Sequence, residues 1–132
     1  MLKRAGLVTL VAFMVMAGTA WATSTSGNQN PDLLVTATLT PTHAHVGDVI
    51  SGVATVTNTT DHRIRVGFEL EFERPTSGVG GAGDAILGPG QSLEFRFHHQ
   101  VRVNSVKGDY LLIVRATDRH GTSHARAHAS SS

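Results

Sequence analysis

The sequence predicts an all-β protein that folds as a single antiparallel β-sandwich of about seven strands, after an N-terminal signal peptide is cleaved. Two observations predict the sandwich: apolar residues recur at every second position in several segments, and clusters of Gly, Asn and Asp separate those segments. The clearest segment is 63–73, where Ile, Val, Phe and Leu alternate with Arg, Gly and Glu. Because successive side chains of a strand point to opposite faces, this segment has one core face and one solvent face.

The first 22 residues have the three parts of a cleavable export signal. Lys3 and Arg4 give a positive start, residues 7–17 form an apolar run, and Ala20-Trp21-Ala22 fits a small-x-small cleavage site. The alternative is an uncleaved membrane anchor, but the run is roughly half of the ~20 residues that a spanning helix needs. Cleavage is therefore favoured, and we expect a secreted or periplasmic protein.

Four parts of the chain follow from this interpretation. They are a signal peptide at 1–22, a flexible polar tail at 23–31, the sandwich at 32–129 and a short C-terminal tail at 130–132. The tail before the sandwich is rich in Ser, Thr and Asn, which is typical of segments without a packed core. No later segment is apolar for long enough to span a membrane, so we expect no stable span after signal cleavage.

Composition and charge exclude several function classes. The chain has 11 basic and 10 acidic residues, and loss of Lys3 and Arg4 with the signal leaves a net charge of −1. A near-neutral domain has no broad cationic surface for phosphates, so nucleic acid is not an expected partner. Cysteine is absent, which excludes disulfides, thiol catalysis and thiolate metal sites.

The remaining strands follow the same period of two. They are expected at 33–40, 49–57, 91–103, 110–117 and 122–129. In the second of these Ile50 and Val56 face the core, and Gly52 on the same face leaves space for a bulky neighbour. In the third, the shared apolar face consists of Leu93, Phe95, Phe97, Val101 and Val103.

Two other segments are interpreted from their neighbours. Segment 110–117 has apolar residues on both faces, which predicts a central strand with partial cover on each side. Segment 75–83 is rich in Gly and is expected to be a flexible, irregular connection. Tyr110 resembles the tyrosine corner of Greek-key sandwiches, so we expect a buried ring with its hydroxyl bonded to a nearby backbone group.

Three short motifs carry a resemblance to a known family. They are Gly47-Asp48-Val49-Ile50 leading to Val56-Thr57-Asn58, then Leu87-Gly88-Pro89-Gly90-Gln91-Ser92, then Gly108-Asp109-Tyr110-Leu111-Leu112-Ile113-Val114. Over about residues 32–128 the chain resembles the bacterial immunoglobulin-like modules of the CARDB type. The resemblance implies an immunoglobulin-like sandwich and a non-catalytic role in an exported or surface protein. The many histidines depart from a plain spacer module.

Motifs of catalysis and cofactor binding are not supported. Gly78-Val79-Gly80-Gly81-Ala82-Gly83 matches G-x-G-x-x-G, but no predicted helix follows it to hold a phosphate, so we expect no nucleotide cofactor. The chain has no G-x-S-x-G and no H-E-x-x-H motif. Glu69, Glu71 and Glu73 share one strand face, and we interpret them as a solvated surface rather than as an acid–base pair. The sequence therefore does not predict an enzyme.

The eight histidines are the unusual feature of the composition. His43 and His45 lie two positions apart on one face of an extended segment, and in an immunoglobulin-like sandwich this segment can run beside the last strand. His124 and His128 share one face of that strand, so the four residues form a candidate site for Zn or Cu, with Asp48 as a further ligand. The alternative is that all four are polar residues that protect edge strands from aggregation.

Two functions follow from these observations. The first is an exported, non-catalytic binding or structural module that acts through protein–protein or cell-surface contacts, with a partner that the sequence does not identify. The second is a secreted or periplasmic metal-binding protein that uses His43, His45, His124 and His128. The first is expected to need no cofactor, whereas the second needs Zn or Cu.

Overall fold

The computed structural model describes residues 25–26 and 30–132, so the expected signal peptide at 1–22 lies outside the described residues. The described part is all-β, with nine strands and no helix. Seven of these strands are eight residues or longer. The strands are β1 (Thr25–Ser26), β2 (Leu33–Thr40), β3 (His43–Ala44), β4 (Val49–Asn58), β5 (Ile64–Glu73), β6 (Gly78–Leu87), β7 (Ser92–Gln100), β8 (Gly108–Asp118) and β9 (Gly121–Ser131).

Two sheets pack face to face, which confirms the predicted antiparallel β-sandwich. The larger sheet has the order β1-β9-β8-β5-β6, with β3 also beside β9, and the smaller has the order β2-β4-β7. The long strands pair antiparallel, and the one parallel pair in the described part joins β3 to β9. No helix in the described part is long and apolar enough to cross a bilayer.

The core lies between the two sheets and follows the period of two. In β2 the inward residues Leu33, Val35, Ala37 and Leu39 are all buried. Aromatic side chains join β5 of the larger sheet to β7 of the smaller one. The ring centroids of Phe72 and Phe97 are 5.6 Å apart, and those of Phe68 and Phe95 are 5.0 Å apart.

Gly52 makes room for two core leucines, as the sequence predicts. A Cβ atom at this position would lie 3.0 Å from Cδ2 of Leu39 and 3.3 Å from Cδ2 of Leu112. Both leucines are fully buried, so the missing side chain of β4 lets the two sheets interdigitate. The space is already filled, and any larger residue must displace one of the leucines.

Strand β8 is central, which confirms the interpretation of its two apolar faces. It pairs with β5 on one side and with β9 on the other. Leu112 and Val114 are fully buried between the sheets, and Ile113 on the opposite face is only 7% exposed. On that outer face Ile113 lies between Glu71 of β5 and Arg126 of β9, which are its directly opposite neighbours in the sheet.

Two predictions about the strands are wrong. Strand β7 ends at Gln100, and Val103 is 84% exposed rather than part of an apolar face. The chain turns after Val101, where the amide of Ser105 bonds to the carbonyl of Arg102 and the Ser105 hydroxyl accepts from the Arg102 amide. Turn-forming Asn104 and Ser105 therefore decide the local conformation, and the alternation ends with Val101.

The Gly-rich segment 75–83 is also not irregular, because Gly78–Leu87 forms strand β6. Backbone pairing to β5 needs no apolar side chains, and the register opposes Phe68 to Gly83 and Phe72 to Val79. The ring of Phe68 covers Gly83, where an added Cβ would lie 2.8 Å from the ring. The G-x-G-x-x-G match thus lies along an edge strand.

The expected tails differ from the structure at both ends. Thr25–Ser26 forms β1 against β9, and Asn30 is 1% exposed, so the described part of 23–31 is not a loose tail. At the other end, the amide of Ser130 bonds to the carbonyl of Thr42 and Ser131 is buried. In both places the edge of β9 that faces away from β8 takes part in backbone pairing, with β1 at one end and with β3 at the other.

Candidate functional site

The structure places the four predicted metal-ligating histidines near β9. Strand β3 runs parallel to β9 with His43 opposite Ser130, so the expected neighbourhood of segment 42–46 and the last strand is observed. His43 and His45 are exposed, and His124 and His128 lie on the outward positions of β9. Because His43 lies opposite Ser130, it is two positions along β9 from His128 but six positions, roughly 20 Å, from His124. A metal site built from the four histidines stays a prediction.

In the described structure, two of these histidines contact aspartates that do not complete a metal site. Nε2 of His128 lies 3.4 Å from Oδ1 of Asp109. Oδ2 of Asp48 accepts a hydrogen bond from the amide of His45 at 2.9 Å, so this carboxylate closes the turn before β4. Neither contact brings three ligand atoms together.

A different group of ligand atoms does converge at the opposite end of β9. Within residues 25–26 and 30–132, the one set of three His or carboxylate ligands whose atoms all lie within 4.8 Å of each other is Asp32, Asp118 and His120. Asp32 directly precedes β2, Asp118 ends β8, and His120 lies in the turn between β8 and β9. Nδ1 of His120 and Oδ2 of Asp32 are 2.7 Å apart.

Buried Asn30 positions two of these three residues. Its side-chain amide donates to Oδ1 of Asp118 at 2.7 Å and to the carbonyl of Gly121 at 2.9 Å. Its Oδ1 accepts from the backbone amide of Asp32 at 3.0 Å. The turn itself needs a left-handed residue, which Gly121 supplies with a φ of 139°. Asn30 thus fixes the carboxylate of Asp118 and the backbone of Asp32, whereas the Asp32 carboxylate is bonded by His120.

The site has one perturbed acid. The hydrogen bond from His120 lowers the pKa of Asp32 below its ordinary value of 3.8, and a hydrogen bond with Asp118 lowers this pKa further. Burial acts in the opposite direction but is outweighed. Asp32 is therefore an acceptor in its ionised form at neutral pH, which is the form that binds cations.

A cleft of about 630 Å³ opens beside these residues. It lies between the start of β5, the end of β8 and the turn that follows β8. Three aspartates and three arginines balance the formal charge of its wall, which consists of Asp32, His62, Arg63, Ile64, Arg65, Gly67, Asp84, Thr117, Asp118, Arg119 and His120. In the described part of the chain none of these arginines makes an ion pair.

Sequence reasoning missed this group for a definite reason. Asp32 is separated from His120 by 88 positions, and no metal-binding spacing connects them. The available signal was the turn sequence Asp118-Arg119-His120-Gly121, in which an Asp and a His lie two residues apart. Buried Asn30 lies in the segment 23–31 that the sequence assigned to a flexible tail, and the third ligand, Asp32, is the first residue after that segment.

A second, shallower cleft of about 510 Å³ lies on the outer face of β5 and β6. The outward glutamates Glu69 and Glu71 form one wall, and Arg115 of β8 lies directly opposite Glu69 in the sheet. The small side chains of β6 make the floor, because Gly80 and Ala82 lie opposite these glutamates. The result is an edge strand with an accessible backbone.

Comparisons with known proteins identify no family and give only distant structural matches. Neither a protein-family model nor a characterised protein sequence matches the chain. Similar solved structures are a β-glucosidase from Listeria innocua (14% identity, TM-score 0.46, covering 75% of this chain and 16% of that one) and the alkylpurine DNA glycosylase AlkC from Pseudomonas fluorescens (16%, 0.42, 92% and 33%). A third is the sporulation control protein Spo0M from Bacillus subtilis (10%, 0.47, 77% and 50%).

The chain spans at most half the length of each of these three proteins. At such identities and TM-scores, the activities of these proteins carry no argument about what this chain binds.

Proposed function

We propose that the chain is an exported, non-catalytic immunoglobulin-like module that binds another protein or a cell-surface component. The observation that carries this proposal is strand β6, which pairs with β5 along one side and with no strand of the described part along the other. A strand with one free side offers a row of unpaired backbone groups to an incoming strand. The export signal predicted at 1–22 would bring this edge into contact with extracellular or periplasmic partners.

The composition of β6 supports recognition through the backbone. Edge strands are normally protected by Lys, Pro or bulges, whereas β6 has the sequence Gly-Val-Gly-Gly-Ala-Gly-Asp-Ala-Ile-Leu with Asp84 as its one charge. At Gly81 no heavy atom lies within 4 Å of the position that a Cβ would take. The sheet face is therefore open at this position, and the glycine has no side chain of its own to obstruct a partner strand.

Site-specific cross-linking in the native host tests this proposal. A photo-reactive residue at Ala82 of β6 should yield a discrete adduct with one partner, and the same residue at the exposed position Thr122 of β9 should not. The added substitution Gly81→Lys should abolish the adduct, because a lysine on the edge opposes strand addition while open space accepts its side chain. Equal cross-linking from Ala82 and Thr122, or none from Ala82, contradicts the proposal.

A second candidate function is the binding of Zn or Cu by the histidines beside β9. The parallel pairing of β3 with β9 favours it, because this pairing brings His43 to the strand that bears His124 and His128. Calorimetric titration should then show one sub-micromolar site that the double substitution His43→Ala/His45→Ala removes. Weak binding that this double variant retains contradicts the second function.

A further inference from the structure

We propose that Asp32, Asp118 and His120 bind one divalent cation, with Zn²⁺ as the preferred ion, and that the open side of this cation faces the cleft. This site is separate from the four histidines considered above and does not depend on the proposed strand-edge function. It uses two carboxylates and one imidazole from three chain segments, whose ligand atoms already lie within 4.8 Å of one another.

The donor set selects the class of ion. Zn²⁺ binds both imidazole nitrogen and carboxylate oxygen at about 2.0–2.2 Å, and three protein ligands with one open position are typical of accessible zinc sites. Ca²⁺ and Mg²⁺ prefer sites built from oxygen alone, so the imidazole of His120 favours Zn²⁺ over them. The cleft of about 630 Å³ leaves room for a further ligand in the open position.

The hydrogen bond between His120 and Asp32 occupies the place that the cation would take. The two atoms are 2.7 Å apart, whereas two ligands of one tetrahedral zinc ion lie about 3.3 Å apart. For this pair of atoms a shift of roughly half an ångström separates the two states, and the Asp118 oxygen, which lies within 4.8 Å of both, must also move to coordination distance. His120 lies in an exposed turn, so its ring can make this shift, and coordination through Nδ1 requires the tautomer in which the ring proton is on Nε2.

Part of the site is in place before any cation arrives. Asn30 bonds to the carboxylate of Asp118 and to the backbone amide of Asp32, so it brings the two residues close together. A cation bound between the two side chains is attracted to both. Because buried Asn30 restricts Asp118 and the backbone of Asp32, less conformational entropy remains to be lost on binding.

Three exposed arginines lie on the cleft wall. Arg63, Arg65 and Arg119 line the same cleft and make no ion pair in the part of the chain that the structure describes. Unpaired guanidinium groups beside an open metal position attract a small carboxylate or phosphate. We therefore assign the open coordination position to a small oxyanion, for which acetate is a suitable probe.

Calorimetric titration of the purified protein with Zn²⁺ tests the cation site. We expect one site per chain, weakened at least about tenfold by Asp32→Asn and by Asp118→Asn, because each substitution removes one anionic ligand. The matched control His43→Ala/His45→Ala should bind as tightly as the unchanged protein. Undiminished binding by both aspartate variants, or loss of binding in the control, overturns the proposal.

A second measurement on the unchanged protein covers the case in which an aspartate variant fails to fold. In a histidine NMR spectrum, assigned with the variant His120→Gln, the first equivalent of Zn²⁺ should move the ring signals of His120. The signals of His43, His45 and His128 should stay in place. A first equivalent that moves these other rings instead, or all rings equally, overturns the site.

Acetate provides the test of the oxyanion position. It should raise the Zn²⁺ affinity of the unchanged protein and have less effect on the variant Arg119→Gln, which loses one cleft arginine. An equal effect in both proteins, or none in either, overturns the assignment of the open position to an oxyanion.

Discussion

The side-chain amide of Asn30 donates a 2.7 Å hydrogen bond to Oδ1 of Asp118, which lies 88 positions further along the chain. The same amide donates to the carbonyl of Gly121, and its oxygen accepts from the amide of Asp32. One buried side chain therefore joins the segment before β2 to the turn between β8 and β9. This connection closes one end of the sandwich and holds the wall of the cleft.

Replacing Asn30 should weaken the fold measurably. Asn30→Ala removes three hydrogen bonds from a side chain that is 1% exposed and leaves the Gly121 carbonyl without this donor. The expected loss in the free energy of unfolding is about 2–4 kcal/mol, measured by urea denaturation. As a control, Asn104→Ala in an exposed turn should change this free energy by less than about 0.5 kcal/mol. Equal stabilities of the two variants contradict the role given to Asn30.

Two strand glycines should respond in opposite ways to the same substitution. Gly52→Ala places a Cβ 3.0 Å from Leu39 and 3.3 Å from Leu112, so we expect a loss of about 1–3 kcal/mol from overpacking. Gly81→Ala meets no atom within 4 Å, and it reduces the entropy of the unfolded chain. We expect this variant to be neutral or more stable by up to about 1 kcal/mol.

Thermal and urea unfolding of the two variants check this pair. The comparison is matched, because each variant adds one methyl group to a glycine within a strand. A destabilised Gly81→Ala variant would contradict the open space at the β6 edge. An unchanged Gly52→Ala variant would contradict the close packing of the two leucines.

The sequence predicts the long strands with clear alternation and misses β6, which has none. Residues 33–40 coincide with β2 because every second side chain there is apolar and buried. Strand β6 has six glycines and alanines among its ten residues, so no hydrophobic period marks it. Its pairing comes from the backbone of β5, which a sequence pattern does not display.

The candidate site was less predictable than the fold. The sequence indicates that segment 42–46 lies beside the last strand, and the pairing of His43 with Ser130 bears out this neighbourhood. The group of Asp32, Asp118 and His120 depends on where two distant turns meet. That meeting is set by the register of β8 with β9 and by the burial of Asn30, both of which are tertiary properties.

The predicted backbone partner of the Tyr110 hydroxyl is wrong, although the predicted burial of the ring is confirmed. Tyr110 is fully buried, but its hydroxyl contacts the side chain of Ser131 at 3.5 Å rather than a backbone group. A bond of this length is weak, so Tyr110→Phe should change the free energy of unfolding by less than about 1 kcal/mol. The ring packs against Phe72 and His99, so Tyr110→Ala should cost about 3–5 kcal/mol. Urea denaturation measures both, and a large loss in Tyr110→Phe would contradict the weak bond.

His99 lies at the opposite end of the sandwich from the cleft. Its ring centroid is 5.4 Å from that of Tyr110, and the charged groups that act on it are the guanidinium groups of Arg74 and Arg102. Nε of Arg74 is itself buried without a hydrogen-bond partner in the described part of the chain. Partial burial lowers the pKa of His99 below its ordinary value of 6.5, and the positive charges of the two arginines lower it further.

This lowered pKa predicts the direction of a pH effect on stability. Below pH 6.5 the unfolded chain binds the His99 proton before the folded chain does, so protonation favours unfolding. The stability that neutral His99 contributes should therefore be fully present above pH 6.5. It should decrease as the pH falls from 6.5 through the pKa that His99 has in the folded protein. His99→Gln removes this titration, and urea denaturation between about pH 7 and pH 5 should show a shallower loss than in the unchanged protein. The neighbouring variant His98→Gln, at an exposed position, should keep the original slope. If both variants lose stability with pH as steeply as the unchanged protein, His99 does not control the pH dependence.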